Sequence, residues 1–268
     1  MRRKAAVAGS FYPGTLQELR RMLGRMVDLE APKTKALAVV SPHAGFVYSG
    51  PVAGAVFSSV NIPETVLILA PSHRPMRSLF ALMKEGEWET PLGTVPIASG
   101  LAEAILNSSN LVEEDAAAHA LEHSLEVQLP FIQYLKARFS LVPINISHLA
   151  SYRDLEKLGE GIAAGILTLN EDVLIVASTD MSHYVSRAEA ERKDFLAIRK
   201  ILDLDPRGLF DIVGSEDISM CGHQPVTAGL IAARKLGAKK AELVEYATSG
   251  DRTGDDREVV GYAGIRIL

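Results

Sequence analysis

Four stretches of the chain carry residue types able to bind a metal ion or move a proton. "SPHAGFVYSG" (41–50) sets His43 in a proline- and glycine-flanked turn behind the apolar run "ALAVV". "LILAPSH" ends at His73, and "VLIVASTDMSH" carries Asp180 and ends at His183. "MCGHQPVTAG" places Cys221 and His223 just before an apolar, alanine-rich segment. Histidine offers a neutral nitrogen donor and titrates near neutral pH. Two imidazoles with an anionic donor make a transition-metal site, the anion being either the Asp180 carboxylate or the Cys221 thiolate. A helix start near Pro225 would favour thiolate at Cys221, which also fits a nucleophile with His183 or His223 as base. A second polar cluster is "HALEHSLEVQLP" (119–130). His119 and His123 are spaced i,i+4 and share a face if the segment is helical. Of the two, His119 is expected to face solvent. His123 and Glu126 are read as ligands, as a clamp on substrate, or as supports for the other imidazoles. Tyr48 and Tyr184 each lie near one of these histidines and could hydrogen-bond a substrate, and His148 reads as a turn or cap residue.

The elements that must position these groups are short, β-branched apolar runs. They fall at 36–41, 65–70, 78–83, 140–146, 172–178, 241–247 and 259–268 and read as strands. Amphipathic segments alternate with them. Residues 15–28 open on a threonine cap with Glu18 three positions on. Further helical spacing runs over 100–108, 154–169, 187–204 and 225–237, and over 124–139 with a kink expected at Pro130. The Pro/Gly-rich 85–97 reads as a hairpin excursion. This alternation predicts a three-layer α/β/α fold with a mostly parallel or mixed central sheet, in one domain over 1–268. In such sheets ligands bind beyond the carboxyl ends of the strands. If the strands are neighbours, His43, His73, Asp180 and His183 converge on one rim.

The totals narrow the function. In 268 residues, 47% apolar and 23% charged, the chain can build a sizeable core. A formal net charge of −5 with no basic block disfavours a nucleic-acid partner. No stretch is long and apolar enough to span a bilayer, and the single cysteine excludes an internal disulfide. A cytoplasmic protein is the expectation.

"AVAGSFYPG", "SPHAGFVYSG", "LAPSH", "EHSLEVQLPF", "STDMSHY", "MCGHQPV" and "VVGYAG" together resemble the Memo family, whose bacterial and archaeal members are labelled AmmeMemoRadiSam system protein B. The resemblance covers essentially the whole chain. It implies a fold similar to class III extradiol dioxygenases, which are non-haem iron enzymes. It also implies a cleft lined by two histidines and a cysteine, matched here by His43, His73 and Cys221, holding Fe(II) or Cu, with Zn as a further option. The histidine of the "STDxxH" element, here His183, resembles the acid/base of those dioxygenases, with Asp180 beside it. A metal-dependent redox activity on an unknown small molecule follows from this, or else a binding module using the same cleft for a small molecule or peptide. The label implies a functional link to a radical-SAM protein and an AMMECR1-like domain.

Overall fold

The computed structural model describes residues 1–268. The chain runs β1 (Arg2–Arg3), α1 (Leu16–Leu23), β2 (Ala38–Ser41), α2 (Phe46–Ser58), β3 (Thr65–Pro71), β4 (Phe80–Leu82), β5 (Glu87–Thr90), β6 (Gly93–Pro96), α3 (Ser99–Ser108) and β7 (Val112–Glu114). It continues through α4 (Leu129–Leu135), β8 (Ser140–Ile146), α5 (Tyr152–Leu169), β9 (Val173–Ser178), β10 (His183–Val185), α6 (Arg187–Leu202), α7 (Pro206–Ser215), α8 (His223–Lys235), β11 (Ala241–Thr248), α9 (Gly250–Thr253) and β12 (Val259–Ile267).

Nine strands form the main sheet. Its centre is parallel, in the order β2-β9-β3-β8. β12 joins β2 antiparallel and carries β11 on its other edge, while β4 joins β8 antiparallel. Because side chains alternate across a strand, the central strands feed two separate cores. Ala38, Val40, Leu67, Leu69 and Ile175 pack with α3, α5, α6, α7 and α8 in one. Val39, Val66, Ile68, Leu174 and Val176 pack with α1, α2 and α4 in the other. The architecture is therefore the expected α/β/α sandwich on a mixed sheet. The continuous apolar runs of β2, β3 and β9 reflect burial on both faces.

The excursion at 85–97 is a hairpin, β5 and β6 antiparallel, whose first strand pairs with β1. The helix expected over 124–139 is different. Residues 126–128 form a 3₁₀ turn, and α4 starts with Pro130 in its first turn, so the proline sets a helix beginning instead of kinking its middle. Two helices were not anticipated, and only the first lacks a legible signal. α2 is buried round most of its circumference and holds Gly50 and Pro51, so it lacks an amphipathic stripe and contains two residues that usually punctuate helices. α7 opens on Pro206, capped by Asp205, whose side chain accepts from the Gly208 N–H. α5, by contrast, has a full capping box between Ser151 and Asp154, a type of cap worth ~1 kcal/mol.

Candidate metal centre

Three neighbouring parallel strands end beneath one cleft. β2 ends at Ser41, two residues before His43; β9 ends at Ser178, two before Asp180; β3 ends at Pro71, two before His73. The strand order β2-β9-β3 thus brings these side chains to one rim. The fourth contributor is the irregular segment between β7 and α4, which lays His123 beside them. Ring centroids of His43 and His73 are 5.2 Å apart, of His43 and His123 5.6 Å, and of His73 and His123 4.5 Å. Each of the three offers one ring nitrogen, and these nitrogens lie within 4.8 Å of one another. Cys221 Sγ stands 3.2 Å from His43 Nε2.

The tautomer of His43 follows from its surroundings. Ser178 Oγ donates its single hydrogen to the Ser124 carbonyl at 2.7 Å. Gln128 Nε2, fixed as a donor by the Pro42 carbonyl, donates to the same hydroxyl at 2.8 Å. Ser178 can therefore only accept from His43 Nδ1, 3.0 Å away. Nδ1 carries the proton and Nε2 faces Cys221 with a free lone pair. Burial, followed by the nearby His73 and His123, lowers the His43 pKa well below its usual value and keeps the ring neutral.

His73 is held by Glu122, a fully buried carboxylate. Glu122 accepts the His73 backbone N–H at 2.6 Å, its Nδ1–H at 2.9 Å and the Ser124 N–H at 3.0 Å. Burial alone would raise this carboxyl, but the hydrogen bonds from His73 and Ser124 outweigh it and hold it at about 2. His123 Nδ1 lies 3.3 Å from the same oxygen. Burial takes the His123 imidazole down to about 4, and the Phe11 ring lies against it with centroids 4.6 Å apart.

Asp180 folds inward. One carboxylate oxygen accepts the His43 and Ala44 N–H groups at 2.8 and 3.3 Å, which ties the "SPHAG" turn to the end of β9. Burial raises its pKa against these hydrogen bonds. The Asp180 N–H in turn points at Cys221 Sγ, 3.3 Å away. The thiolate expected from a helix start is not what the fold produces. Burial, with the nearby Asp180 carboxyl adding to it, pushes the Cys221 thiol far up, outweighing the position just before α8. The uncharged thiol donates toward His43 Nε2. Gly222 is required beside it, since a Cβ there would come within 2.3 Å of the Ser178 carbonyl oxygen.

His183 begins β10, where the pairing with β12 shifts register and Tyr184 takes a left-handed φ of 56°. Its Nδ1–H donates to the Ser219 carbonyl at 2.9 Å, which leaves Nε2 as the nitrogen without a protein partner. Tyr48, in the first turn of α2, is exposed. Tyr262 is buried near Asp180, Tyr48 and Tyr184, a neighbour that sequence reading did not single out.

Three expected residues lie elsewhere. Glu126 is fully buried away from the imidazoles, paired with Arg3 and accepting from the Tyr12 hydroxyl and the Ala6 and Val7 N–H groups. It anchors the N-terminal segment that presents Phe11. His223 turns toward Phe210 at a centroid distance of 5.8 Å, and its Nδ1–H donates to the Met220 carbonyl. His119 does not face solvent. It is wholly buried, edge-on to Trp88 at 5.7 Å, because residues 117–119 form a 3₁₀ turn that sends it and His123 in different directions. Glu122, Gln128 and Ser178 were missed. The only signal for Glu122 was a carboxylate directly preceding a histidine in "LEHS".

Fold and cleft define a class: an α/β/α protein whose site, beyond the carboxyl ends of parallel strands, gathers imidazoles and a thiol. A family model described as Memo-like protein matches residues 3–266. A MEMO1 family protein of Methanothermobacter thermautotrophicus is 41% identical, covering 99% of this chain and all of its own length. Those of Methanopyrus kandleri and Thermotoga petrophila are each 40% identical over at least 98% of both chains. The chain belongs to the Memo-like family. Among solved structures, an uncharacterized protein of Escherichia coli K12 superposes with a TM-score of 0.55 at 11% identity, covering 85% of this chain and 99% of its own, which speaks to fold alone.

Proposed function

We propose that the cleft binds a transition metal ion, Fe(II) or Cu, through His43, His73 and Cys221, with His123 as an additional imidazole, and that the protein is a metal-dependent redox protein. The observation that carries this is donor spacing. Two ligand atoms on one tetrahedral ion at about 2.1 Å stand about 3.4 Å apart. Cys221 Sγ and His43 Nε2 already stand at 3.2 Å. The three imidazole nitrogens lie within 4.8 Å of one another. Mixed imidazole and sulfur donors suit copper, iron or zinc.

A bound ion with an open coordination position would supply Lewis acidity and, as iron or copper, electron transfer. The chain's own groups do the rest. His183, held by the Ser219 carbonyl through Nδ1, has Nε2 as the nitrogen that would serve as base toward a substrate hydroxyl. Asp180, its pKa raised by burial, is the second proton-holding group beside it. Metal analysis of protein purified without oxygen, followed by titration with Fe(II), Cu and Zn(II), tests the reading. Saturable binding that weakens in His43→Ala and Cys221→Ser supports it. No bound metal and no saturable binding overturn it.

A binding module without chemistry is the second reading. Val47, Tyr48, Leu121, Leu149 and Tyr184 are large apolar side chains left exposed on segments adjoining the cleft or following the strand ends. Such a collar suits an apolar part of a ligand. A Cys221→Ser variant that binds no metal yet takes up a hydrophobic dye in the cleft as wild type does would favour it.

A further inference from the structure

We propose that Glu122 is the positioning residue of the cleft, a carboxylate whose hydrogen bond forces the Nδ1–H tautomer on His73 and so leaves the Nε2 lone pair of that ring free to act as a ligand. The inference rests on the metal-binding reading for its consequence but not for its geometry.

The Glu122 carboxylate is fully buried, so each of its partners must be a donor or be left facing a lone pair without water. Two partners are backbone N–H groups, of His73 at 2.6 Å and Ser124 at 3.0 Å, and these can only donate. The third is His73 Nδ1 at 2.9 Å from Oε1. A neutral imidazole with its proton on Nε2 would set a nitrogen lone pair against that oxygen. The favoured ring therefore carries the proton on Nδ1. His123 Nδ1 lies 3.3 Å from the same Oε1 as a close contact and makes no hydrogen bond to it. That carboxylate oxygen thus selects the tautomer of His73, whose ring lies 4.5 Å from that of His123, and carboxylate support of this kind also makes an imidazole a stronger ligand.

The position of Glu122 is itself secured. Arg3 donates to the Glu122 carbonyl at 2.7 Å and to the His119 carbonyl at 2.8 Å, and its charge is paired with Glu126. The carboxylate is therefore held from both backbone and side chain, as a group with a geometric task needs to be.

The test separates the positioning role from metal binding. In ¹⁵N-imidazole NMR of the metal-free wild type, His73 is expected as a single tautomer with the proton on Nδ1. A proton on Nε2 of His73 in the wild type overturns the proposal before any variant is made. Glu122→Gln replaces one acceptor oxygen by an NH₂ and is expected to leave His73 as a mixture of tautomers. Its affinity for Zn(II) should fall roughly 10- to 100-fold, and Glu122→Asp should restore part of both. A single Nδ1–H tautomer persisting at His73 in a folded Glu122→Gln protein overturns the proposal, whatever the titration gives. If the wild type itself binds no Zn(II), the metal-binding reading fails, and the tautomers alone decide the role of Glu122.

Discussion

Cys221 and His43, 178 positions apart in the chain, meet with sulfur 3.2 Å from Nε2. The thiol donates to an imidazole whose other nitrogen is already committed to Ser178. This pair is a neutral dyad waiting for a proton to leave, and burial keeps that proton in place. In metal-free protein near neutral pH, Cys221 is expected to alkylate far more slowly with iodoacetamide than free cysteine does, read by mass spectrometry against a small-molecule thiol. Rapid labelling would revive the nucleophilic reading of Cys221.

The ion pair of Arg3 and Glu126 is buried on both sides, and Arg3 also stacks over Trp88 at 4.1 Å. Replacing Arg3 by methionine leaves an unpaired buried carboxylate. Urea unfolding should show a loss of about 3–5 kcal/mol. Because Glu126 anchors the segment bearing Phe11, metal affinity should drop with it.

His119 gives the protein an acid-sensitive contribution. Neither ring nitrogen has a partner, and burial, then the charge of Arg3, pushes the imidazole from 6.5 to about 3. Between those values the unfolded chain binds more protons, so stability rises with pH there. The contribution is complete above about pH 6.5 and is lost as pH falls toward about 3. The urea midpoint of wild type should therefore fall more steeply between these limits than that of His119→Leu.

Gly222 abuts the Ser178 carbonyl so closely that an added Cβ would sit 2.3 Å from it. Gly222→Ala must push Cys221 off the end of β9. A stability loss of about 1–3 kcal/mol is expected, together with weaker Zn(II) binding measured by calorimetry. Unchanged binding would mean that the thiol is not a ligand.

Much of this was legible in the sequence because two-sided burial writes itself as unbroken apolar runs. β2, β3 and β9 announced themselves in that way, and the rule that α/β sites lie beyond strand ends pointed to His43, His73, Asp180 and His183. The supports were not legible. Glu122, Gln128 and Ser178 act through hydrogen bonds that span 49, 86 and 135 positions in the chain. No local pattern encodes such pairings. The irregular run 116–128 misled for a related reason: its i,i+4 histidines mimic a helix face, yet 3₁₀ turns and Arg3 hold it in another shape.

β2 lies between β9 and β12, and both partners follow residue 172, more than 130 positions after β2. On the ribosome, His43, His73 and His123 emerge well before the strand that orients the first of them and before the sulfur that joins it. A nascent fragment therefore displays imidazoles without an assembled cleft. Non-local pairing of this kind is slow to form, so capture of an ion belongs to the finished chain and is withheld from the growing one.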